Sequence, residues 1–182
     1  FSFDGAIPGS VNVAAFYNDL TDQQLQTGFS GLVNTTGILN AGKSTIRGVE
    51  IEARLQLFEG FIVDASYTYL DTKLDEVAPP PPAPPGITVV PTAVEGDPLP
   101  LSPENKATIT ATYFLPVPAD IGEVSAGATW VYVDDQLTAT SSPYGVLPSY
   151  DLLNLNLNWE GVAGLPVDAS VFAINVTDEE YM

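Results

Sequence analysis

The sequence has no cysteine, no histidine and few basic residues. Without cysteine there can be no disulfide and no thiolate chemistry, and a zinc site would have to be built from carboxylates alone, which is unusual. The chain contains 5 basic and 23 acidic residues, which give it a formal net charge of −18. Because phosphate contacts need clustered Lys and Arg, we expect no nucleic-acid partner. We also expect no cofactor, no resident metal ion and no enzymatic activity.

Long apolar runs are also missing, although 45% of the residues are hydrophobic and the mean hydropathy is +0.15. A transmembrane helix needs about 18 uninterrupted apolar residues, and no stretch approaches that length. If the chain meets a membrane, it must therefore do so with strands. The sequence begins at Phe1 without a signal-peptide pattern, so we expect it to start inside a larger protein or after processing.

The clearest pattern lies in residues 43–71, where two segments of strand periodicity are separated by a short turn. In the first segment, apolar residues alternate with the polar positions Glu50, Glu52, Arg54 and Gln56. In the second, apolar residues alternate in the same way from Phe61 to Tyr69. A period of two predicts β-strands, so we expect a β-hairpin that turns at residues 58–60. Polar residues facing a water-filled interior and apolar residues facing outward would match a transmembrane barrel strand, but a half-solvated strand of a soluble sandwich would alternate similarly.

The connections between predicted strands are sorted by length. Strand periodicity also occurs at residues 10–19, 105–115, 123–133, 153–159 and 167–175. Short connections fall near residues 4–9, 58–60, 116–122 and 161–166, and long ones near residues 23–42, 72–103 and 134–149. In an up-and-down meander, this strict alternation puts the short turns at one end and the long loops at the other, as in outer-membrane barrels. A Greek-key sandwich gives no reason for such sorting.

Two of the long connections have distinctive compositions. Residues 72–103 contain ten prolines, which cannot donate to a β-ladder, so we expect a proline-rich extracellular loop there. A domain linker or a site for a proline-binding module would have a similar composition. Residues 23–42 are polar and rich in Gly, Thr and Asn, which indicates either a long loop or strands that continue beyond a membrane.

These patterns predict an all-β fold, an antiparallel up-and-down transmembrane β-barrel. Aromatic residues near the predicted strand ends would form its interfacial girdles. About seven strands are too few to close such a barrel, since the smallest need about eight, and the sheet would be left with two unpaired edges. We therefore expect residues 1–182 to form part of a larger barrel.

Several short blocks then point to a family. They are residues 14–19 (AAFYND) with 21–24 (TDQQ), 40–42 (NAG) with 47–52 (RGVEIE), 66–71 (SYTYLD), 101–103 (LSP) with Asn105, and 175–181 (NVTDEEY). Each block is short, but together they span nearly the whole chain in one order. In these blocks the chain resembles the C-terminal part of the barrel of a TonB-dependent outer-membrane receptor.

The resemblance implies a barrel of about twenty-two strands that takes up scarce nutrients, most often ferric siderophores. It implies four partners: outer-membrane lipid, a plug domain of the same protein, the TonB complex acting through an N-terminal region, and a small ligand such as a metal chelate. It also implies location in the bacterial outer membrane. The plug and the TonB box are not in this sequence, and the family continues to one closing strand, so we expect a C-terminal fragment of such a receptor.

The candidate site residues are Glu50, Glu52 and Arg54, which face the predicted lumen. They could contact the plug or line a ligand path, or they could be solvated wall residues that only have to avoid lipid. Glu50 and Glu52 have no nucleophile motif or histidine with which to form a catalytic pair. The acidic pairs at Asp134–Asp135 and residues 178–180 lack EF-hand spacing, so solvated loops explain them better than calcium. Alternative functions are a soluble or surface β-sandwich acting as an adhesin-like binding module, and a passive porin.

Overall fold

A computed structural model describes residues 1–31, 35–77, 82, 84–90, 94–138 and 145–181. In this part of the chain, the only helical element is a single 3-10 turn at Val162–Gly164, and no helix is long and apolar enough to cross a membrane. The strands are β1 (Ser2–Phe3), β2 (Gly9–Ser30), β3 (Thr35–Phe58), β4 (Phe61–Val77), β5 (Thr88–Val90), β6 (Asn105–Phe114), β7 (Glu123–Val133), β8 (Gln136–Leu137), β9 (Val146–Leu147), β10 (Tyr150–Glu160) and β11 (Ala169–Ala173).

The main sheet is an antiparallel meander in the order β1-β2-β3-β4-β6-β7-β10-β11. Strand β5 adds to the edge of β2 outside this path, and β8 pairs with β9 in a separate small ladder. Among the described residues no second large sheet packs against the first, so a β-sandwich is excluded for them. The predicted all-β, antiparallel up-and-down architecture is confirmed, and it contains seven strands of five or more residues along the path.

The predicted hairpin is present as β3 and β4. Its register runs from Phe58 opposite Phe61 to Gly42 opposite Val77. The turn contains Gly60 at φ +78°, where a Cβ would lie 2.7 Å from the carbonyl oxygen of Phe114. Only glycine fits this left-handed position without strain. The turn therefore stays short, and β6, which carries Phe114, can approach it.

The register divides most of the side chains between two faces. Residues directly opposite each other in paired strands point to the same side of the sheet. Once the face of one residue is known, the register gives the face of the residues opposite it in every other strand. The polar face carries Ser10, Asn12, Glu50, Glu52, Arg54, Asp64, Ser66, Thr68, Lys106, Thr108, Thr110, Ser125, Thr129, Asn154, Asn156 and Asn158. The apolar face carries Val11, Val13, Ile51, Leu55, Val63, Ile109, Ala111, Val124, Leu153, Leu155, Leu157 and Val171.

Two long connections differ from the prediction because strands occupy part of them. Strand β2 continues to Ser30 and β3 begins at Thr35, so for residues 23–30 and 35–42 the expectation of a loop is wrong and the alternative of extended strands is correct. Residues 32–34 of this connection lie outside the described residues. We call residues 18–30 and 35–46 the outer hairpin. Strand β4 continues to Val77, so the proline-rich loop begins six residues later than predicted. Residues 78–81, 83 and 91–93 of that loop, and 139–144 of the next, lie outside the described residues.

The short turns meet at one end of the sheet, as their sorting predicted. The carbonyl oxygen of Ile121 accepts hydrogen bonds from Trp159 Nε1 at 2.7 Å and from the N–H of Ala163 at 3.0 Å. These contacts join the β6–β7 turn to the β10–β11 turn. Gly122 in the first turn has φ +103°, and a Cβ there would lie 2.2 Å from the carbonyl oxygen of Glu160.

Candidate functional site

The three predicted site residues lie side by side on the polar face of β3. Glu50 is opposite Ala14 and Thr68, Glu52 is opposite Asn12 and Ser66, and Arg54 is opposite Ser10 and Asp64. All three side chains are exposed. Because β3 lies between β2 and β4, the site is built from three adjacent strands. The register of β3 with β2 and with β4 decides which side chains surround the three charged residues.

The structure adds Asp64 to this set through an ion pair. Arg54 Nη1 lies 3.4 Å from Asp64 Oδ1, and the two side chains are 63% and 44% exposed. An exposed pair of this kind stabilises a fold by only about 0–1 kcal/mol, so its effect is on local charge rather than on stability. Cross-strand pairing of β3 with β4 brings these residues together, and the alternation within one strand could not have indicated it.

Glu50 and Glu52 take no part in the ion pairs of the described chain. The ion pairs of the described chain are Lys43–Glu76, Arg47–Asp71, Arg54–Asp64 and Lys73–Asp75. Neither Glu50 nor Glu52 has a basic partner among these residues. The two carboxylates therefore give this part of the polar face a local negative charge that the described chain does not neutralise.

A depression of about 310 Å³ lies on the polar face beside these residues. Its lining includes Ser10, Asn12, Glu52, Arg54, Asp64, Ser66, Thr108 and Thr110, which come from four strands. These side chains include neutral hydrogen-bond donors and acceptors, a positive guanidinium group and negative carboxylates. Such a surface can bind a polar partner, and it is lined by no nucleophile held against a general base.

A second polar cluster lies at the long-loop end of the sheet, and sequence reasoning missed it. Asn105 accepts a hydrogen bond from the Tyr67 hydroxyl at 2.6 Å and donates from Nδ2 to Asp134 Oδ2 at 2.8 Å. The Tyr132 hydroxyl donates to Asp134 Oδ1 at 3.2 Å, and the N–H of Asp135 donates to the same oxygen at 3.1 Å. The cluster ties β4, β6 and β7 together where they leave the apolar band.

The bonds received by Asp134 also set its charge state. The hydrogen bond from Asn105 is the main reason that the pKa of Asp134 lies below its usual value, with a further contribution from Tyr132. Its carboxylate oxygens are thus already used within the protein. In the described part of the chain, no group of three or more His, Cys, Asp or Glu side chains comes together.

Aromatic side chains border the apolar face at both ends. Tyr17, Tyr67, Tyr69, Trp130 and Tyr132 lie towards the long loops, and Phe58, Phe61, Tyr113 and Trp159 lie towards the short turns. Phe58 and Phe61 stack with ring centroids 4.8 Å apart, and Trp130 stacks on Tyr132 at 6.0 Å. From Phe61 to Tyr69 the strand spans about 26 Å at 3.3 Å per residue, close to the roughly 25 Å apolar band of outer-membrane barrels.

Comparison with known proteins agrees with this geometry. The family model described as "TonB dependent receptor-like, beta-barrel" matches residues 2–177. The chain therefore belongs to the TonB-dependent receptor-like β-barrel family. This is a family of receptors and transporters rather than of enzymes, and the predicted resemblance is confirmed.

Solved structures of three receptors are similar to the chain. The ferric yersiniabactin uptake receptor FyuA from Yersinia pestis matches with 19% identity and a TM-score of 0.73, over 99% of this chain and 24% of that one. The siderophore receptor PiuA from Acinetobacter baumannii matches with 22% identity and a TM-score of 0.68, over 95% of this chain and 22% of that one.

The third is the ferric-catecholate import receptor Fiu from Escherichia coli K12, with 19% identity and a TM-score of 0.61, over 94% of this chain and 21% of that one. The chain thus spans about a quarter of the length of these receptors or less. At such identities the similarity concerns the fold, and it confirms a partial up-and-down transmembrane barrel.

Proposed function

We propose that this chain is part of an outer-membrane active transporter that takes up scarce nutrients such as ferric siderophores and is energised by the TonB complex. The observation that carries the proposal is the separation of polar and apolar faces across seven antiparallel strands, bordered by aromatic side chains at both ends. Membership of the receptor family supports the transport role. Ferric siderophores are the first candidate ligands, because three structurally similar proteins are siderophore or ferric-chelate receptors by name.

Each face then has a partner. The apolar face contacts outer-membrane lipid, because its exposed Val, Ile and Leu side chains would be costly in water over so large an area. The polar face lines the lumen and contacts a plug domain of the same protein. The TonB complex acts on the receptor through an N-terminal region. The proline-rich connection that follows β4, residues 78–103, lies on the extracellular side.

The site residues support a specific contact with the plug. Glu50 and Glu52 have no basic partner in the described chain. A buried or half-buried carboxylate in a filled lumen needs a compensating charge or several hydrogen bonds. We propose that basic side chains of the plug face Glu50 and Glu52, and that the Arg54–Asp64 pair lies at the border of this contact.

Uptake by the full-length receptor tests the proposed function. Cells that depend on this receptor would be given ferric siderophores labelled with radioactive iron, including a catecholate, under iron limitation. The expected result is saturable uptake that stops when a protonophore collapses the proton-motive force or when TonB is deleted. Non-saturable uptake that is insensitive to both treatments would support a passive porin instead. If no ferric chelate is taken up, ferric siderophores are not the substrate.

The plug contact has its own test in the same protein. Glu50→Gln with Glu52→Gln should loosen the plug, so that plug amides exchange hydrogen faster in the purified full-length receptor. Glu59→Gln, an exposed change in the β3–β4 turn, is the matched control and should leave the plug unchanged. Equal exchange in all three proteins would show that Glu50 and Glu52 are solvated wall residues.

A further inference from the structure

The long-loop end of the sheet carries a large excess of negative charge. Residues 18–47, 71–106 and 134–151 make up this end, and they contain eleven acidic residues but only four basic ones. None of the eleven acidic residues is buried. They are Asp19, Asp22, Asp71, Asp75, Glu76, Glu95, Asp97, Glu104, Asp134, Asp135 and Asp151.

Three of the four basic residues at this end already have acidic partners. The ion pairs are Lys43–Glu76, Arg47–Asp71 and Lys73–Asp75. Arg47 donates to Asp71 Oδ2 from Nε at 3.0 Å and from Nη2 at 2.7 Å. Among the ion pairs of the described chain, eight of the eleven carboxylates at this end and Lys106 remain without a partner. An anion that reaches this end therefore meets one free cationic side chain among many carboxylates.

A depression of about 340 Å³ lies at this end, between the end of β4, the residues that precede β6 and the start of β8. The described residues that line it include Asp71, Glu104, Asp134 and Asp135 and no basic side chain. Asp71 is paired with Arg47, and Asp134 accepts a hydrogen bond from Asn105. Glu104 and Asp135 have no basic partner in the described chain, so a positively charged group is favoured beside them and an anionic group is not.

Unpaired charges of one sign act beyond contact distance. Together they create a surface potential of several kT, which attracts ions of the opposite sign and repels ions of the same sign. At physiological ionic strength this potential is screened over about 8 Å. The acidic residues at the short turns lie about 26 Å away along the strands, so only the long-loop end sets the potential that an arriving ligand meets.

We propose that this end of the receptor selects its ligand by charge and favours ferric chelates in the order cationic, neutral, anionic. The inference rests on the proposed uptake function and narrows its substrate class. A ferric trihydroxamate with a free ammonium group belongs to the favoured class. A ferric tris-catecholate belongs to the disfavoured class, because three doubly deprotonated catechols outweigh the charge of one ferric ion.

Uptake of one chelate in three charge forms tests the selection. Acetylation of the ammonium group of the ferric trihydroxamate removes its positive charge, and succinylation replaces that charge with a carboxylate. For the full-length receptor, kcat/KM for uptake should fall at least about tenfold from the ammonium form to the succinylated form, with the acetylated form between them. The difference should shrink as the ionic strength rises.

A pair of double variants tests whether the long-loop end is responsible. Glu104→Gln with Asp135→Asn removes two unpaired carboxylates beside the depression and should reduce the preference for the ammonium form. Glu123→Gln with Glu160→Gln removes the same charge at the short-turn end, where the two residues lie opposite each other in β7 and β10, and should leave the preference unchanged. An equal effect of the two double variants would overturn the assignment to the long-loop end.

A thiol at the depression measures the local potential without any siderophore. Ser102 lines the depression, and residues 1–182 contain no cysteine. In a full-length receptor without other cysteines, Ser102→Cys should react faster with a cationic methanethiosulfonate than with an anionic one. The ratio of the two rates should exceed that for free 2-mercaptoethanol at least about tenfold. Equal ratios for the protein thiol and the free thiol would overturn the inference.

The outcomes separate this inference from the proposed function. If all three forms of the chelate are taken up equally, or the succinylated form is preferred, selection by charge is refuted while uptake stands. If the wild-type receptor takes up no ferric chelate, the proposed function fails, and the narrowed substrate class fails with it. The reaction rates of Ser102→Cys then still decide whether this end of the barrel repels anions.

Discussion

Replacing Ile109 by arginine would place a charge on the apolar face near the middle of the proposed membrane band. Ile109 lies on β6 between Ala65 and Trp130 of the neighbouring strands and is 43% exposed. The adjacent Thr108 points to the polar face at almost the same depth, opposite Ser66. Thr108→Arg is therefore a control with the same added side chain on the other side of the sheet.

The expected magnitude follows from the position of Ile109. Along β6 the apolar face extends from Ala107, opposite Tyr132, to Tyr113 near the short turns. Ile109 is about 7 Å from the first and about 13 Å from the second along the strand. Arginine near the bilayer midplane on a lipid-facing position costs about 2–4 kcal/mol, which lowers the folding equilibrium constant by about 30-fold to 900-fold. Thr108→Arg should change the free energy of unfolding by only about 0.5 kcal/mol.

The measurement is equilibrium unfolding of the full-length receptor in phospholipid vesicles, with guanidinium chloride as denaturant and tryptophan fluorescence as the signal. Trp159 lies near the short turns and Trp130 lies opposite Ile109, so the signal reports on one end of the band and on the substituted region itself. Equal destabilisation by the two substitutions would refute the assignment of faces. A larger loss for Thr108→Arg would reverse it, placing lipid on the polar side.

Three further predictions concern residues whose surroundings the structure specifies. Gly122→Ala places a Cβ 2.2 Å from the carbonyl oxygen of Glu160 at φ +103°, so it should lower the unfolding free energy by about 1–3 kcal/mol, whereas Gly5→Ala, with no atom within 4 Å, should be neutral in the same denaturant titration. Leu74→Ala removes a side chain that is 1% exposed and should lower the unfolding free energy by about 2–5 kcal/mol; an unchanged unfolding midpoint would contradict the burial of Leu74. Hydrogen bonds hold the pKa of Asp134 below its usual 3.8, so its carboxylate stabilises the fold above that pH and loses this effect as the pH falls through the lowered pKa. Asp134→Asn should therefore be less stable than wild type at pH 7, and the gap should shrink below pH 3.8; a gap that is constant with pH would contradict this.

The candidate site was only partly predictable from the sequence. Alternation within β3 correctly grouped Glu50, Glu52 and Arg54 on one face, because side chains in a strand point alternately to its two sides. Their roles stay a prediction. Asp64 joins Arg54 through the register of β3 with β4, and Asn105 meets Asp134 through that of β6 with β7. Such contacts join residues distant in sequence, and no periodicity along one strand encodes them.

The sequence by itself determined the strands inside the apolar band, their meander order and the short turns between them. Inside the band one face must be apolar and the other polar, so the alternation is strong and a one-residue slip would be costly. Only the tertiary structure decided how far β2, β3 and β4 continue beyond Tyr17, Arg47 and Asp71, and where β5 pairs. Beyond the band, water can contact both faces of a strand, so side-chain polarity no longer distinguishes strand from loop. There the backbone hydrogen bonds between strands decide, and they leave no pattern in the sequence.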